Sequence, residues 1–153
     1  MRLYLVQHGE AHPKEADPTR RLTEKGADDV RKVAGFLRPH GLRVDAIWHS
    51  GKPRAAETAD ILASAVKAAQ GVVECKGLDP NDPVLPVAEE MDEAPEDLMI
   101  VGHMPFLARL ASVLLAGDED ADIVQFHNAG VVCLERDEDG GWHMHWIVTP
   151  GLL

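Results

Sequence analysis

Short apolar runs alternate with helix-patterned segments along this chain, and no other feature of the sequence constrains the fold as much. Four runs have the length and composition of buried strands, namely Leu3–Val6, Ala46–Trp48, Val72–Cys75 and Leu98–Val101. Strands separated by helices usually join one sheet as parallel neighbours, with the helices covering its faces. The alternation therefore predicts an α/β fold with a mostly parallel sheet.

The segments between these runs carry helix signals. Apolar residues recur at a spacing of about 3.6 residues, Thr23 can cap a helix, and proline suits a first helical turn. The predicted helices run from Thr23 to Pro39, from Pro53 through Val66 to a stop near Gly71, over Val87–Met91, and from Pro105 to Gly117.

The last part of the chain has a different pattern. Val131–Leu134 and Trp142–Val148 flank a turn-rich segment that ends in Gly140-Gly141, which is typical of an antiparallel hairpin. We found no internal repeat and no linker. The sequence thus predicts one domain over residues 1–153, with helices on both faces of a sheet that has an antiparallel end.

Composition limits the possible partners. The formal net charge of −11 disfavours nucleic acid and anionic membranes, and no apolar run approaches the length of a membrane span. Because the sequence has no recognisable secretion signal, the chain is expected to be cytoplasmic. Cys75 and Cys133 are expected to be free thiols. If the substrate carries a phosphate, the site must supply local positive charge.

Three of the predicted strands end in similar polar sequences, at Gln7-His8-Gly9, His49-Ser50 and Gly102-His103. The carboxyl ends of parallel strands meet at one edge of a sheet, where helix amino termini also point. We therefore expect His8, Arg54 and His103 around one pocket. Arg54 can hold two phosphate oxygens, His103 can donate to a third, and His8 can attack phosphorus.

These segments carry a family resemblance. His8-Gly9-Glu10, the Ser-x-x-x-Arg-Ala-x-x-Thr-Ala pattern over residues 50–59 and Gly102-His103-Met-Pro resemble the motifs of the histidine phosphatases. The small size and the segment Arg21–Gly26 look most like the SixA-type phosphohistidine phosphatases. The resemblance implies a three-layer α/β/α fold, a phosphohistidine intermediate on His8, and binding of the transferred group by Arg54 and His103.

One residue departs from the family pattern. The family usually has arginine immediately before the nucleophilic histidine, whereas this chain has Gln7. An amide can donate to a phosphate oxygen but brings no charge, and charged hydrogen bonds are roughly twice as strong as neutral ones. A second cation could compensate, and Arg21 is the first candidate, ahead of Lys52 and Arg20.

Other residues complete the predicted site. Gly9 permits close approach of a ligand, Ser50 is a substrate-binding candidate, and Glu10 is a possible general acid. His8 should hold one ring nitrogen against a backbone carbonyl near Gly9. No strong general acid is evident, which favours substrates with a P–N bond or an activated ester.

We expect no cofactor and no metal, and as partner a phosphorylated protein or a small phosphorylated substrate. Two other classes of function remain open. One is a phosphate- or phosphoprotein-binding module that has lost catalysis through Gln7. The other is a zinc hydrolase using His8, His49 and His103, which is less favoured because the chain lacks a His-Glu-x-x-His motif.

Overall fold

The computed structural model describes residues 1–153 and contains eight strands and four α-helices. The strands are β1 (Arg2–Gln7), β2 (Arg43–Val44), β3 (Ile47–His49), β4 (Lys67–Ala68), β5 (Val72–Glu74), β6 (Leu98–Gly102), β7 (Val131–Arg136) and β8 (Trp142–Val148). The helices are α1 (Glu24–Leu37), α2 (Pro53–Leu62), α3 (Leu85–Glu93) and α4 (Phe106–Ala116). None of the helices is long and apolar enough to cross a membrane.

Six of the strands form one sheet, in the order β5-β3-β6-β1-β7-β8. The first four are mutually parallel, whereas β7 is antiparallel to β1 and β8 is antiparallel to β7. The short strands β2 and β4 form a separate parallel pair. The predicted α/β fold, with a mostly parallel central sheet and an antiparallel end, is confirmed.

The sheet separates two apolar cores. Successive side chains of a strand point to opposite faces, so Leu3 and Leu5 pack with α3 and α4, while Tyr4 and Val6 pack with α1 and α2. All five residues of the central strand β6 are buried, as expected for a parallel strand covered on both faces. Helices thus lie on both faces and give the three layers.

Strand register places the candidate residues next to one another. Gln7 at the end of β1 lies opposite Gly102 at the end of β6, and His49 at the end of β3 lies opposite Val101. The segments that follow these three strands therefore leave the sheet side by side. The expected convergence of the strand ends is present.

The main difference from the predicted elements lies after α2. This helix ends at Leu62 and not near Gly71, and Lys67–Ala68 forms the small strand pair with β2. Val66 is buried, so its apolar spacing suggested helix. The backbone instead turns, and the N–H of Lys67 donates to the carbonyl of Leu42. The helix predicted over Val87–Met91 is also longer, running over α3.

Candidate active site

Two histidines form the centre of the candidate site. His8 follows β1 and His103 follows β6, and their ring centroids are 5.1 Å apart, with the ring planes inclined by 54°. The backbone N–H of His8 donates to the carbonyl of Gly102 at 3.1 Å, which ties the two segments together. The pair expected from the sequence is therefore assembled by the sheet itself.

The environment of His8 keeps its ring neutral. Nδ1 lies 2.7 Å from the carbonyl oxygen of Gly9, an acceptor, so Nδ1 carries the proton and Nε2 keeps its lone pair. Burial lowers the pKa of His8 below its usual 6.5; the Gly9 carbonyl opposes this, and the charges of Arg54 and Arg20 add to the lowering. A neutral imidazole with a free Nε2 has the form that a nucleophile requires.

His103 is held by Ser50. The Ser50 hydroxyl lies 2.6 Å from Nε2 of His103, and its oxygen also accepts from the backbone N–H of Lys52 at 3.3 Å. Burial, then the neighbouring His8 and Arg54, lower the pKa of His103 to about 3. Ser50 is thus a contact of His103, whereas the sequence suggested direct contact with substrate.

Arg54 is a partly desolvated cation beside the two histidines. It occupies the first turn of α2, directly after Pro53, and its Nε is buried without a hydrogen-bond partner. Burial lowers the pKa of its guanidinium, and the charge of Arg20 lowers it further, while Asp79 opposes the shift. Arg54 therefore lies near a second arginine and retains free donors.

That second arginine is Arg20, whereas Arg21, the first candidate for a compensating cation in the sequence, has its side chain elsewhere. The Asp17 carboxylate accepts from the backbone N–H of Arg21 at 3.0 Å and from its Nε at 3.3 Å, which directs the largely exposed Arg21 side chain to Asp17. Arg20 adopts a left-handed backbone conformation (φ 54°), and its Nε donates to the carbonyl of His12. Its charge acts on His8, Arg54 and His103.

Close approach occurs at Gly9, but the neighbour is α1. A Cβ at Gly9 would lie 2.9 Å from the carbonyl oxygen of Gly26 and 3.0 Å from a methyl group of Val30. The N–H of Gly9 donates to the buried Thr58 hydroxyl at 3.0 Å, and this hydroxyl donates to the Arg54 carbonyl at 2.8 Å. Gly9 therefore packs the loop on α1, and Thr58 links that loop to the helix that carries Arg54.

Glu10 is attached to the start of α1. Its carboxylate accepts from the Thr23 hydroxyl at 3.3 Å, and its backbone carbonyl accepts from the Thr23 N–H at 3.0 Å. Thr23 in turn caps α1 by accepting from the N–H of Gly26. This contact gives Glu10 a structural partner, and the arrangement supplies no support for it as a general acid.

Gln7 makes its amide contact away from the histidines. Its Nε2 donates to Oδ1 of Asn128 at 2.7 Å, whereas its Oε1 is buried without a partner. Asn128 lies in the loop before β7, and no sequence motif connected it to Gln7. The amide nitrogen that was expected to meet a phosphate oxygen is therefore engaged elsewhere.

The unsatisfied polar atoms of the protein gather at this site. Only three buried side-chain nitrogen or oxygen atoms lack a hydrogen-bond partner, and they belong to Gln7, Arg54 and His103. Buried polar atoms are almost always paired, so such a concentration indicates groups that await a polar ligand. Two of the three, Arg54 Nε and His103 Nδ1, can serve as donors to an anion.

A polar cleft opens beside Arg54. It has a volume of about 530 Å³ and no hydrophobic lining residue. Its lining side chains include four cations and two carboxylates, namely Lys14, Arg20, Lys52, Arg54, Asp79 and Asp82. In a chain with a net charge of −11, this cleft collects four of the fifteen lysines and arginines. Three of its cations, Arg20, Lys52 and Arg54, also act on the pKa of His103, so positive charge is available next to the two histidines.

The His49 side chain stabilises a turn and, unlike His8 and His103, is not part of the histidine pair. Its Nδ1 accepts from the backbone N–H of Gly51 at 3.0 Å, within a turn where Gly51 has a φ of 91°. This turn favours glycine because side chains rarely tolerate such a positive φ. No three His, Cys, Asp or Glu side chains are grouped to hold a metal ion.

Comparison with known families agrees with this arrangement. Residues 3–80, which include all but the first residue of β1 as well as His8, Ser50 and Arg54, match the model of the histidine phosphatase superfamily (branch 1). The chain belongs to this superfamily. The resemblance to the histidine phosphatases seen in the sequence motifs is confirmed.

Similar proteins extend the match over the whole chain. Phosphohistidine phosphatase SixA of Escherichia coli is 22% identical over 98% of this chain and 94% of its own length. An uncharacterised protein of Picosynechococcus sp. is 33% identical over 88% of this chain and 84% of its own. The structure of protein histidine phosphatase SixA complexed with tungstate superposes with a TM-score of 0.85 at 21% identity, covering 99% of both chains. The fold of this superfamily member is therefore that of SixA.

Three residues of the site were undervalued in the sequence. Arg20 was ranked below its neighbour, Thr58 was part of a motif without an assigned role, and Asn128 was not connected with Gln7. None of the three had a usable local signal, because each makes its contact with a residue outside its own motif or element.

Proposed function

We propose that this protein is a phosphatase that hydrolyses a phosphorylated histidine, or a similarly labile phosphate, through a phosphohistidine intermediate on His8. The observation that carries the proposal is the state of the two histidines. His8 keeps Nε2 free because Nδ1 donates to Gly9, and His103 has an unpartnered Nδ1 because Ser50 contacts Nε2. One ring is prepared to attack and the other to donate.

The first step transfers the phosphoryl group to the enzyme. The lone pair of His8 Nε2 attacks phosphorus, and the bond between phosphorus and the leaving nitrogen breaks. The electron pair stays on the leaving imidazole, which takes a proton from water. Arg54, Arg20 and the Nδ1–H of His103 stabilise the charge on the phosphoryl oxygens.

The second step regenerates the enzyme. A water molecule attacks phosphorus, the bond to His8 Nε2 breaks, and inorganic phosphate leaves with the oxygen of that water. The ring of His8 recovers its lone pair. Since the lowered pKa of His8 keeps the ring neutral, it is ready for a new cycle without losing a proton.

The choice of a P–N substrate follows from the absence of an assigned acid. An alkyl alcohol is a poor leaving group without a proton donor, whereas imidazole is basic enough to collect a proton from solvent. The one acid suggested by the sequence, Glu10, accepts a hydrogen bond from the Thr23 hydroxyl and so has a structural partner. Similarity to the phosphohistidine phosphatase SixA of Escherichia coli supports the same substrate class.

A purified-protein assay tests this proposal. We expect release of phosphate from a protein carrying phosphohistidine, slower release from an activated aryl phosphate, and little from a phosphoserine peptide. His8→Asn should abolish turnover, whereas His145→Asn, which removes an exposed histidine from β8, should not change it. Full activity should persist in excess chelator. Equal activity of the His8→Asn protein would overturn the proposal.

A phosphate-binding module without catalysis is the second candidate. The contact of Gln7 with Asn128 favours it, because the position that usually supplies a cation supplies a neutral group with its donor turned away. Such a module would bind oxyanions through Arg54 and His103 but never become phosphorylated. Covalent labelling of His8 separates the two candidates.

A further inference from the structure

We propose that Asn128 is a positioning residue whose hydrogen bond with Gln7 lets the Gln7 amide turn its NH₂ group toward the phosphoryl group. The inference rests on the proposed function, because it assigns the phosphoryl group to the space beside His8 and His103. Nothing in the motifs of the chain assigns a role to Asn128. Its contact with Gln7, at 2.7 Å, links the segment before β7 to the end of β1.

Gln7 is next to both histidine-bearing segments at the edge of the sheet. It directly precedes His8, and it pairs in register with Gly102, which directly precedes His103. Its amide nitrogen donates outwards to the exposed Asn128, while its amide oxygen is buried and unpartnered. The end of the amide that lies within the protein is therefore an acceptor, without a donor to meet it.

The backbone holds Asn128 in place beside Gln7. The N–H of the next residue, Ala129, donates to the backbone carbonyl of Gln7 at 2.9 Å, and Ala129 has a left-handed conformation with φ of 64°. The N–H of Gly130 donates to the carbonyl of His127 at 2.9 Å, closing the turn around Asn128. The position of residue 128 is thus fixed by contacts that do not involve its side chain.

An acceptor oxygen opposes an anion, whereas an NH₂ group can bind one. Rotation of both amides by 180° keeps the contact between them, with the Asn128 NH₂ now donating to the Gln7 oxygen. The Gln7 NH₂ then lies on the buried side and can donate to a phosphoryl oxygen. An asparagine at position 128 is compatible with both arrangements, because its amide can accept or donate.

A carboxylate at position 128 removes that choice. The side chain introduced by Asn128→Asp only accepts, so it holds the Gln7 NH₂ outwards and leaves the buried end an acceptor. We expect this variant to bind tungstate about tenfold more weakly than the wild-type chain, as for loss of one hydrogen bond to an anion. His127→Asp is the matched control, because it adds the same charge one residue away on an exposed side chain.

A second substitution separates hydrogen bonding from charge. Arginine at position 7 only donates, so Gln7→Arg should pair well with the carboxylate at position 128. In the Gln7→Arg background, Asn128→Asp should therefore weaken tungstate binding by no more than His127→Asp does. This reversal is a readout that simple loss of stability would not produce.

Calorimetric titration with tungstate measures these affinities without turnover. The inference is overturned if Asn128→Asp and His127→Asp weaken binding equally, or if Gln7→Arg does not remove the difference. If the predicted pattern appears but no phosphohistidine is hydrolysed, the proposed function fails and the inference stands. If the wild-type chain binds no tungstate, both are overturned.

Discussion

The arginines at the two ends of the central sheet differ in whether their donors have hydrogen-bond partners. At the amino end of β1, Arg2 donates to Glu135, and Arg136 donates to the carbonyls of Met91 and Ala94. At the carboxyl end, Arg54 is partly exposed and its buried Nε has no hydrogen-bond partner. Both ends carry arginine, yet only one of them leaves donors free.

The difference separates stability from function. Satisfied polar groups at the amino end hold elements together, since Arg136 connects β7 to the carboxyl end of α3. Unsatisfied groups at the carboxyl end cost stability, because a buried donor without a partner loses its hydration. A protein retains such groups where a ligand supplies the missing partner, so the contrast marks the carboxyl end as the reactive one.

The largest expected effect separates two adjacent arginines. Arg20→Ala should lower kcat/KM for a phosphohistidine protein by about 10²-fold, because a cation beside the phosphoryl group is lost. Arg21→Ala is the matched control and should change it by less than about threefold, since an exposed ion pair contributes little. Steady-state kinetics of both variants provide the measurement. An equal loss of kcat/KM in the two variants would contradict a role of Arg20 in the site.

A smaller effect is expected at the amino end. Arg136→Ala should lower the free energy of unfolding by about 1–3 kcal/mol, since two carbonyl contacts are lost, and should leave kcat/KM unchanged. Arg43→Ala, at an exposed arginine without a side-chain partner, should cost less than about 0.5 kcal/mol. Urea unfolding measures both. A large kinetic effect of Arg136→Ala would break the separation between the two ends.

The smallest expected effect is on the pH dependence of stability. Burial lowers the pKa of His103 to about 3, so between pH 6.5 and 3 the unfolded chain binds a proton that the folded chain does not. Stability contributed by the neutral ring is therefore lost as the pH falls through this range. His103→Gln should reduce the loss of unfolding free energy between pH 7 and pH 5 by about 1–2 kcal/mol. Parallel pH profiles of variant and wild type would contradict this.

Much of the fold followed from apolar periodicity. The central strands are continuous apolar runs, and α1 and α4 end at left-handed glycines or close to them, which are local signals. The sequence did not predict the end of α2 because a buried apolar residue at position 66 fits a longer helix as well as it fits the observed turn. What decides between helix and turn there is the pairing of β4 with β2, a contact between segments far apart in sequence.

The site divides in the same way. His8, Arg54 and His103 could be placed together because each follows or begins an element whose end the sheet fixes. Arg20 could not, because the direction of its side chain depends on a hydrogen bond to the carbonyl of His12 within an irregular loop. The hydrogen bond between Gln7 and Asn128 joins residues 121 positions apart, so no local sequence pattern predicts it.

The most direct test of the account is the chemical identity of the intermediate. The protein is mixed with excess phosphohistidine substrate, quenched in alkali, and its peptides are mapped by mass spectrometry. We expect one phosphoryl group on His8, stable in alkali and lost in acid as a P–N bond requires, and none in the His8→Asn protein. Turnover without any label on His8, or a label on another residue, would contradict the account.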